Sequence, residues 1–109
     1  MSANEIIEVG EEASGRRVEM RVHQTLRIAL SEVRTAGFRW NLRAPDEHVF
    51  SLLEDEFAPQ PGAAGGTLLH HWVFRAERAG EATILLEYKR PWEHAVPPAR
   101  TFSLTVRVT

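Results

Sequence analysis

A chain of 109 residues, 43% hydrophobic and 26% charged, has the size and balance of one folded globular domain. Thirteen basic against fifteen acidic residues give a net charge of −2 and a pI near 6.2, which argues against a nucleic-acid binder. The lack of cysteine removes disulfides, thiolate zinc sites and cysteine nucleophiles together. No apolar run approaches the ~20 residues of a membrane-spanning helix. The start, Met1-Ser2-Ala3-Asn4-Glu5, has neither the basic nor the apolar part of a secretory leader, so a cytoplasmic protein is expected unless a leader has been removed. All basic residues but Lys89 are arginine, the codon usage of a GC-rich, bacterial genome.

In chain order the pattern is mostly of period two, which sorts side chains onto the two faces of a strand. A short strand is predicted over Ile6–Val9, followed by a turn from Gly10 to Gly15. Val18, Met20 and Val22 alternate with Arg17, Glu19 and Arg21; after His23-Gln24, Leu26, Ile28 and Leu30 follow, with Thr25 and Arg27 between them. Phe38, Trp40 and Leu42 follow the turn at Gly37, and Pro45-Asp46 interrupts the pattern. Asp46 to Phe57 fits two templates. Val49, Leu52, Leu53 and Phe57 have near-helical spacing with Asp46 as a cap, while Phe50 and Leu52 suit a strand face. The small-residue stretch Pro59 to Gly66 is a loop, because too little chain follows it to build a second core. Trp72, Phe74 and Ala76 alternate next; then Ala82, Ile84, Leu86 and Tyr88 after Gly80; then Phe102, Leu104, Val106 and Val108 after Pro97-Pro98. Short alternating strands with frequent turns predict an all-β, immunoglobulin-like antiparallel β-sandwich of about seven to eight strands, one domain over 1–109, held without a disulfide.

Residues suited to catalysis do not converge. His70 and His71 are adjacent, so a strand points them to opposite faces, one inward or at an edge and one solvated, and they cannot chelate one ion together. Glu54-Asp55-Glu56 reads as a solvated run, and no nucleophile elbow or His-Glu-x-x-His motif is present. Catalytic residues, a metal and a cofactor are therefore not expected. Three other features stand at strand ends. Proline in Arg90-Pro91-Trp92-Glu93 has no amide hydrogen, so it ends a ladder; Trp92 then either folds back to plug one end of the sandwich or stands exposed on a loop, where a tryptophan beside an arginine is the composition of a binding hot spot. Gly62-Ala63-Ala64-Gly65-Gly66 lacks large side chains, so it is either a plain flexible connector or a segment that lets another backbone come close. Arg34-Thr35-Ala36-Gly37 is a small tight turn; Trp40 and Trp72, in mid-strand, belong to the core.

In their order, these three features resemble the marks of the chagasin-like inhibitors of papain-type cysteine peptidases. That family has an Asn-Pro-Thr-Thr-Gly loop before an aromatic-x-Trp strand, a Gly-x-Gly-Gly loop and an Arg-Pro-Trp/Phe loop. Here Val33-Arg34-Thr35-Ala36-Gly37 precedes Phe38-Arg39-Trp40, Ala63-Ala64-Gly65-Gly66 precedes Thr67, and Tyr88-Lys89 leads into Arg90-Pro91-Trp92. The resemblance runs from about Gly15 to Val108 and implies that the ambiguous segment from Val49 to Phe57 is a strand. It implies a monomer that occludes the peptidase cleft reversibly with three loops. Arg34, Thr35, Ala36 and Gly37 would cover the catalytic cysteine and histidine, Ala63, Ala64, Gly65 and Gly66 would line one side, and Arg90, Pro91 and Trp92 would grip the other. The implied partner is a papain-like cysteine peptidase, with no nucleic acid and no membrane. The sequence departs from the family where Val33 and Arg34 replace Asn and Pro, Ala36 the second Thr and Ala63 the first Gly; Arg34 at the catalytic centre would either add an unpaired charge or pair with an acidic group of a particular target. The alternative reading is an immunoglobulin-like protein-binding module that kept the scaffold and lost inhibition.

Overall fold

The computed structural model describes residues 5–43, 48–60, 62 and 65–109. The described residues form eight strands: β1 (Ile6–Val9), β2 (Arg17–Met20), β3 (Thr25–Val33), β4 (Arg39–Arg43), β5 (Phe50–Pro59), β6 (Thr67–Ala76), β7 (Gly80–Lys89) and β8 (Arg100–Val108). They make two four-stranded sheets, ordered β1-β3-β6-β5 and β2-β8-β7-β4. The segment that fits both templates is a strand from Phe50 onward, with an irregularity between Leu52 and Glu54 in its pairing to β6. The expected cap, Asp46, lies outside the described residues, as does Pro45.

The sandwich is not wholly antiparallel. β1 pairs with β3, and β2 with β8, in parallel. Strand parity accounts for this. Odd-numbered strands run one way and even-numbered ones the other, so neighbours that differ by an even number (one and three, two and eight) are parallel. The remaining neighbours differ by an odd number and are antiparallel.

Period-two alternation builds the core as expected. Leu26, Ile28 and Leu30 of β3, Trp72 and Phe74 of β6, Ile84 and Leu86 of β7, and Phe102, Leu104 and Val106 of β8 are buried in one cluster. Each such side chain contributes about 1.5–3 kcal/mol when fully buried, which explains how the scaffold holds without a covalent staple. Trp40 and Trp72 are both core residues. Among the described residues no helix is long and apolar enough to cross a membrane.

Candidate functional site

β3, β5 and β7 end on the same side of the sandwich, and the loops that follow them touch one another. The first loop is a single 3-10 turn, Arg34–Ala36, closed by Gly37 at φ 83° and ψ 0° with its amide donating to the Arg34 carbonyl at 3.0 Å. That left-handed conformation suits glycine. Space also requires it, because a Cβ on Gly37 would stand 2.4 Å from Cη2 of Trp92 in the third loop.

The second loop meets the first from the other side. The Arg34 amide donates to the Gly66 carbonyl at 2.9 Å. Gly66 has φ +82°, and a Cβ there would stand 2.3 Å from Cγ2 of Thr35. Gly65 faces open space, while Ala63 and Ala64 lie outside the described residues. The third loop, between β7 and β8, turns at Pro91-Trp92 with the Glu93 amide donating to the Arg90 carbonyl at 3.0 Å. Arg90 faces the first loop: its Nε donates to the Ala36 carbonyl at 3.1 Å and its guanidinium lies 4.5 Å over the Phe38 ring. Trp92 is 63% exposed despite its edge contact with Gly37, so the tryptophan predicted on a loop is presented to solvent. The three loops thus form one wedge of backbone and small side chains, flanked by one large aromatic.

Beneath the wedge lies a polar layer that the sequence reading did not single out. Glu32 is fully buried. One carboxylate oxygen accepts the Trp40 amide at 2.9 Å and meets Nδ1 of His70 at 3.0 Å; the other accepts from Nη1 of Arg34 at 3.3 Å. Nε2 of His70 meets Asp55 at 2.5 Å, and its ring lies between Trp72, 3.8 Å away, and Phe57, 4.1 Å away. Burial pushes the Glu32 carboxyl up, but the His70 and Trp40 hydrogen bonds, with the charges of His70 and Arg34, outweigh it and hold the group below the ordinary glutamate range. Tyr88 completes the layer by accepting the Val33 amide on its hydroxyl at 2.8 Å, stacking on Phe38 and lying tilted against Trp40.

Several expectations need correction. His71 is not solvated: both histidines are buried, because β6 is an inner strand and His71, although on the face opposite His70, sits between β3 and β5 beside Glu54. Asp55 is not simply part of a solvated run, since alternation turns it toward His70 while Glu54 and Glu56 face the other way. Glu54, Glu56 and His71 each bring one ligand atom within 4.8 Å of the others, but both carboxylates are exposed and the group stands on the face opposite His70. Arg34 does not carry an unmatched charge to the tip, as its guanidinium folds back onto Glu32 and lies 4.6 Å over the Phe57 ring. The signal for Glu32 was present in the sequence: alternation through Leu26, Ile28 and Leu30 puts the next inward position at residue 32.

Comparison with known proteins matches residues 19–106 to the family described as Chagasin family peptidase inhibitor I42. The chain belongs to the chagasin family. Amoebiasin-2 of Entamoeba histolytica is 32% identical over 98 residues, 78% of this chain and 79% of that protein. The cysteine protease inhibitor EhICP2 from Entamoeba histolytica shares the fold, with a TM-score of 0.86 at 23% identity over 95% of each chain. So does PbICP-C, solved in complex with falcipain-2, with a TM-score of 0.68 at 16% identity over 97% of this chain and 91% of that one. With the family comes the activity that the loop motifs implied, inhibition of papain-like cysteine peptidases rather than catalysis. The bacterial source expected from arginine usage finds no support in these relatives, whose stated organism is an amoeba.

Proposed function

We propose that the protein inhibits its peptidase by reversible occlusion, with the first loop seated over the catalytic cysteine and histidine. Gly65 and Gly66 of the second loop line one wall of the cleft, and Trp92 packs against the other. The observation that carries this reading is the mutual contact of the loops: Thr35 against Gly66 and Gly37 against Trp92 make three segments into one body. A preassembled wedge loses little conformational entropy on binding. Small residues at Thr35, Ala36 and Gly37 suit a narrow slot, and the exposed Trp92 supplies the apolar area of a hot spot. In this reading Arg90 and Pro91 act mainly inside the protein. Arg90 ties the third loop to the first, and Pro91 opens the turn that presents Trp92.

The test is a steady-state titration of papain and of a cathepsin L-type peptidase with the folded protein. Competitive, reversible inhibition in the nanomolar range is expected, with the inhibitor recovered at unchanged intact mass. No inhibition at tens of micromolar would overturn the reading and favour the binding module that lost inhibition; a cleaved chain or a covalent adduct would overturn simple occlusion.

A further inference from the structure

Glu32 occupies an inward position of a sandwich strand, where alternation calls for a residue like Leu30. A buried carboxylate is retained at such a place only when donors surround it. The donors come from three parts of the chain. Arg34 opens the first loop, the Trp40 amide belongs to the strand that leaves it, and His70 stands on β6 beneath it. One side chain therefore clasps the first loop at its entry and just beyond its exit.

The same contact decides what the loop presents. The Arg34 guanidinium is drawn to Glu32, and its flat face is covered by the Phe57 ring at 4.6 Å. Phe57 is supported in turn by the His70 ring, and His70 by Asp55 and Trp72. With Arg34 held back and its amide bound to the Gly66 carbonyl, Thr35 and Ala36 project in its place.

We propose that Glu32 is the positioning residue of the inhibitory loop, and that it acts by holding Arg34 out of the peptidase cleft. This rests on the reading that the first loop enters that cleft. A papain-type centre carries a thiolate paired with an imidazolium. A guanidinium released into it would be desolvated without a fixed partner, or would compete for the thiolate. Glu32 neutralises the arginine inside the inhibitor before the two proteins meet.

Two measurements test this together: inhibition constants against a peptidase that the unaltered protein inhibits, and amide hydrogen exchange of the free protein. Glu32→Gln is expected to raise Ki about tenfold in the unaltered protein and far less in the Arg34→Ala background, as residues that act through one contact do. Phe57 is 44% exposed, so Phe57→Leu leaves a folded protein. It is expected to weaken inhibition several-fold with Arg34 present and not at all in the Arg34→Ala background. In the free protein, Glu32→Gln is expected to speed exchange at the amides of Arg34, Gly37 and Trp40 while leaving that of Leu104 unchanged. Losses that persist in the Arg34→Ala background would overturn the proposal, as would unchanged loop exchange in folded Glu32→Gln. If the unaltered protein inhibits no papain-like peptidase, occlusion fails on its own, and the exchange pattern still decides whether Glu32 positions the loop.

Discussion

The interior of the sandwich changes character along two of its own strands. Far from the loops, β3 contributes Leu26, Ile28 and Leu30, and β6 contributes Phe74 and Trp72. One step nearer the loops, the same inward positions hold Glu32 and His70. Apolar packing is strong but non-directional, so it fixes the distance between the sheets better than the course of a loop. Hydrogen bonds to a buried carboxylate prescribe angles as well as distances. The scaffold is held by burial and the wedge by aimed polar contacts, so damage to each should register in different measurements.

The largest break is expected deep in the apolar region. Trp72→Ala empties a site that is 1% exposed. It should cost about 3–5 kcal/mol of stability, as truncation of a buried aromatic does, read as a lowered midpoint in urea unfolding. A variant of unaltered stability would show that the two regions do not differ as described. Because Trp72 also supports the His70 ring, inhibition should fall with it.

A smaller effect, and of the opposite kind, is expected at the tip. Trp92→Ala should weaken peptidase binding by ~2 kcal/mol or more, about thirtyfold in Ki, with little change in melting temperature because the side chain stands mostly in solvent. Gly37→Ala should reproduce much of that loss, since its Cβ would displace the tryptophan ring and its φ of 83° disfavours any side chain. If the ring is what matters, the two substitutions will not add. Full additivity in Ki would mean that Gly37 acts on the peptidase directly, and a large fall in melting temperature with Trp92→Ala would place that residue in the core.

How much of this was legible follows the same division. The apolar region is written in alternation, and Trp40 and Trp72 fell where period two put them. The edges of the wedge were legible from Gly66, Gly37 and Trp92, because unusual backbone and a proline-terminated strand leave local marks. The helix-or-strand question from Asp46 to Phe57 could not be resolved locally. β5 is an exposed edge strand with an irregular pairing, so its apolar residues do not alternate cleanly. The contacts of Glu32 were illegible for another reason. Its partners come from residues 34, 40 and 70, and charge neutralisation across three strands has no sequence period. The parallel edge pairs likewise depend on strand order within sheets, which alternation does not encode.

The finest test separates the two regions by acid. The Glu32 carboxyl is held below its ordinary value of 4.5 in the folded protein, burial opposing and the His70, Trp40 and Arg34 contacts prevailing. A group so depressed stabilises the fold fully above its unfolded value, and that contribution disappears as pH falls through the folded value. The groups facing it are His70 from β6, with Asp55 of β5 on the far side of that ring, and Arg34 from the first loop. Stability should therefore decline from about pH 4.5 downward more steeply in the unaltered protein than in Glu32→Gln, whose amide does not titrate there. Glu77, held low chiefly by the Ser51 hydroxyl, adds the same slope to both proteins and cancels from the difference. The apolar region has nothing to titrate, so loosening should begin beneath the loops, with the Trp40 amide losing protection before the amides of Ile28 or Leu104. Parallel acid curves for the two proteins would mean that Glu32 is not held as a carboxylate by this layer, and would dissolve the contrast between burial and aimed contacts.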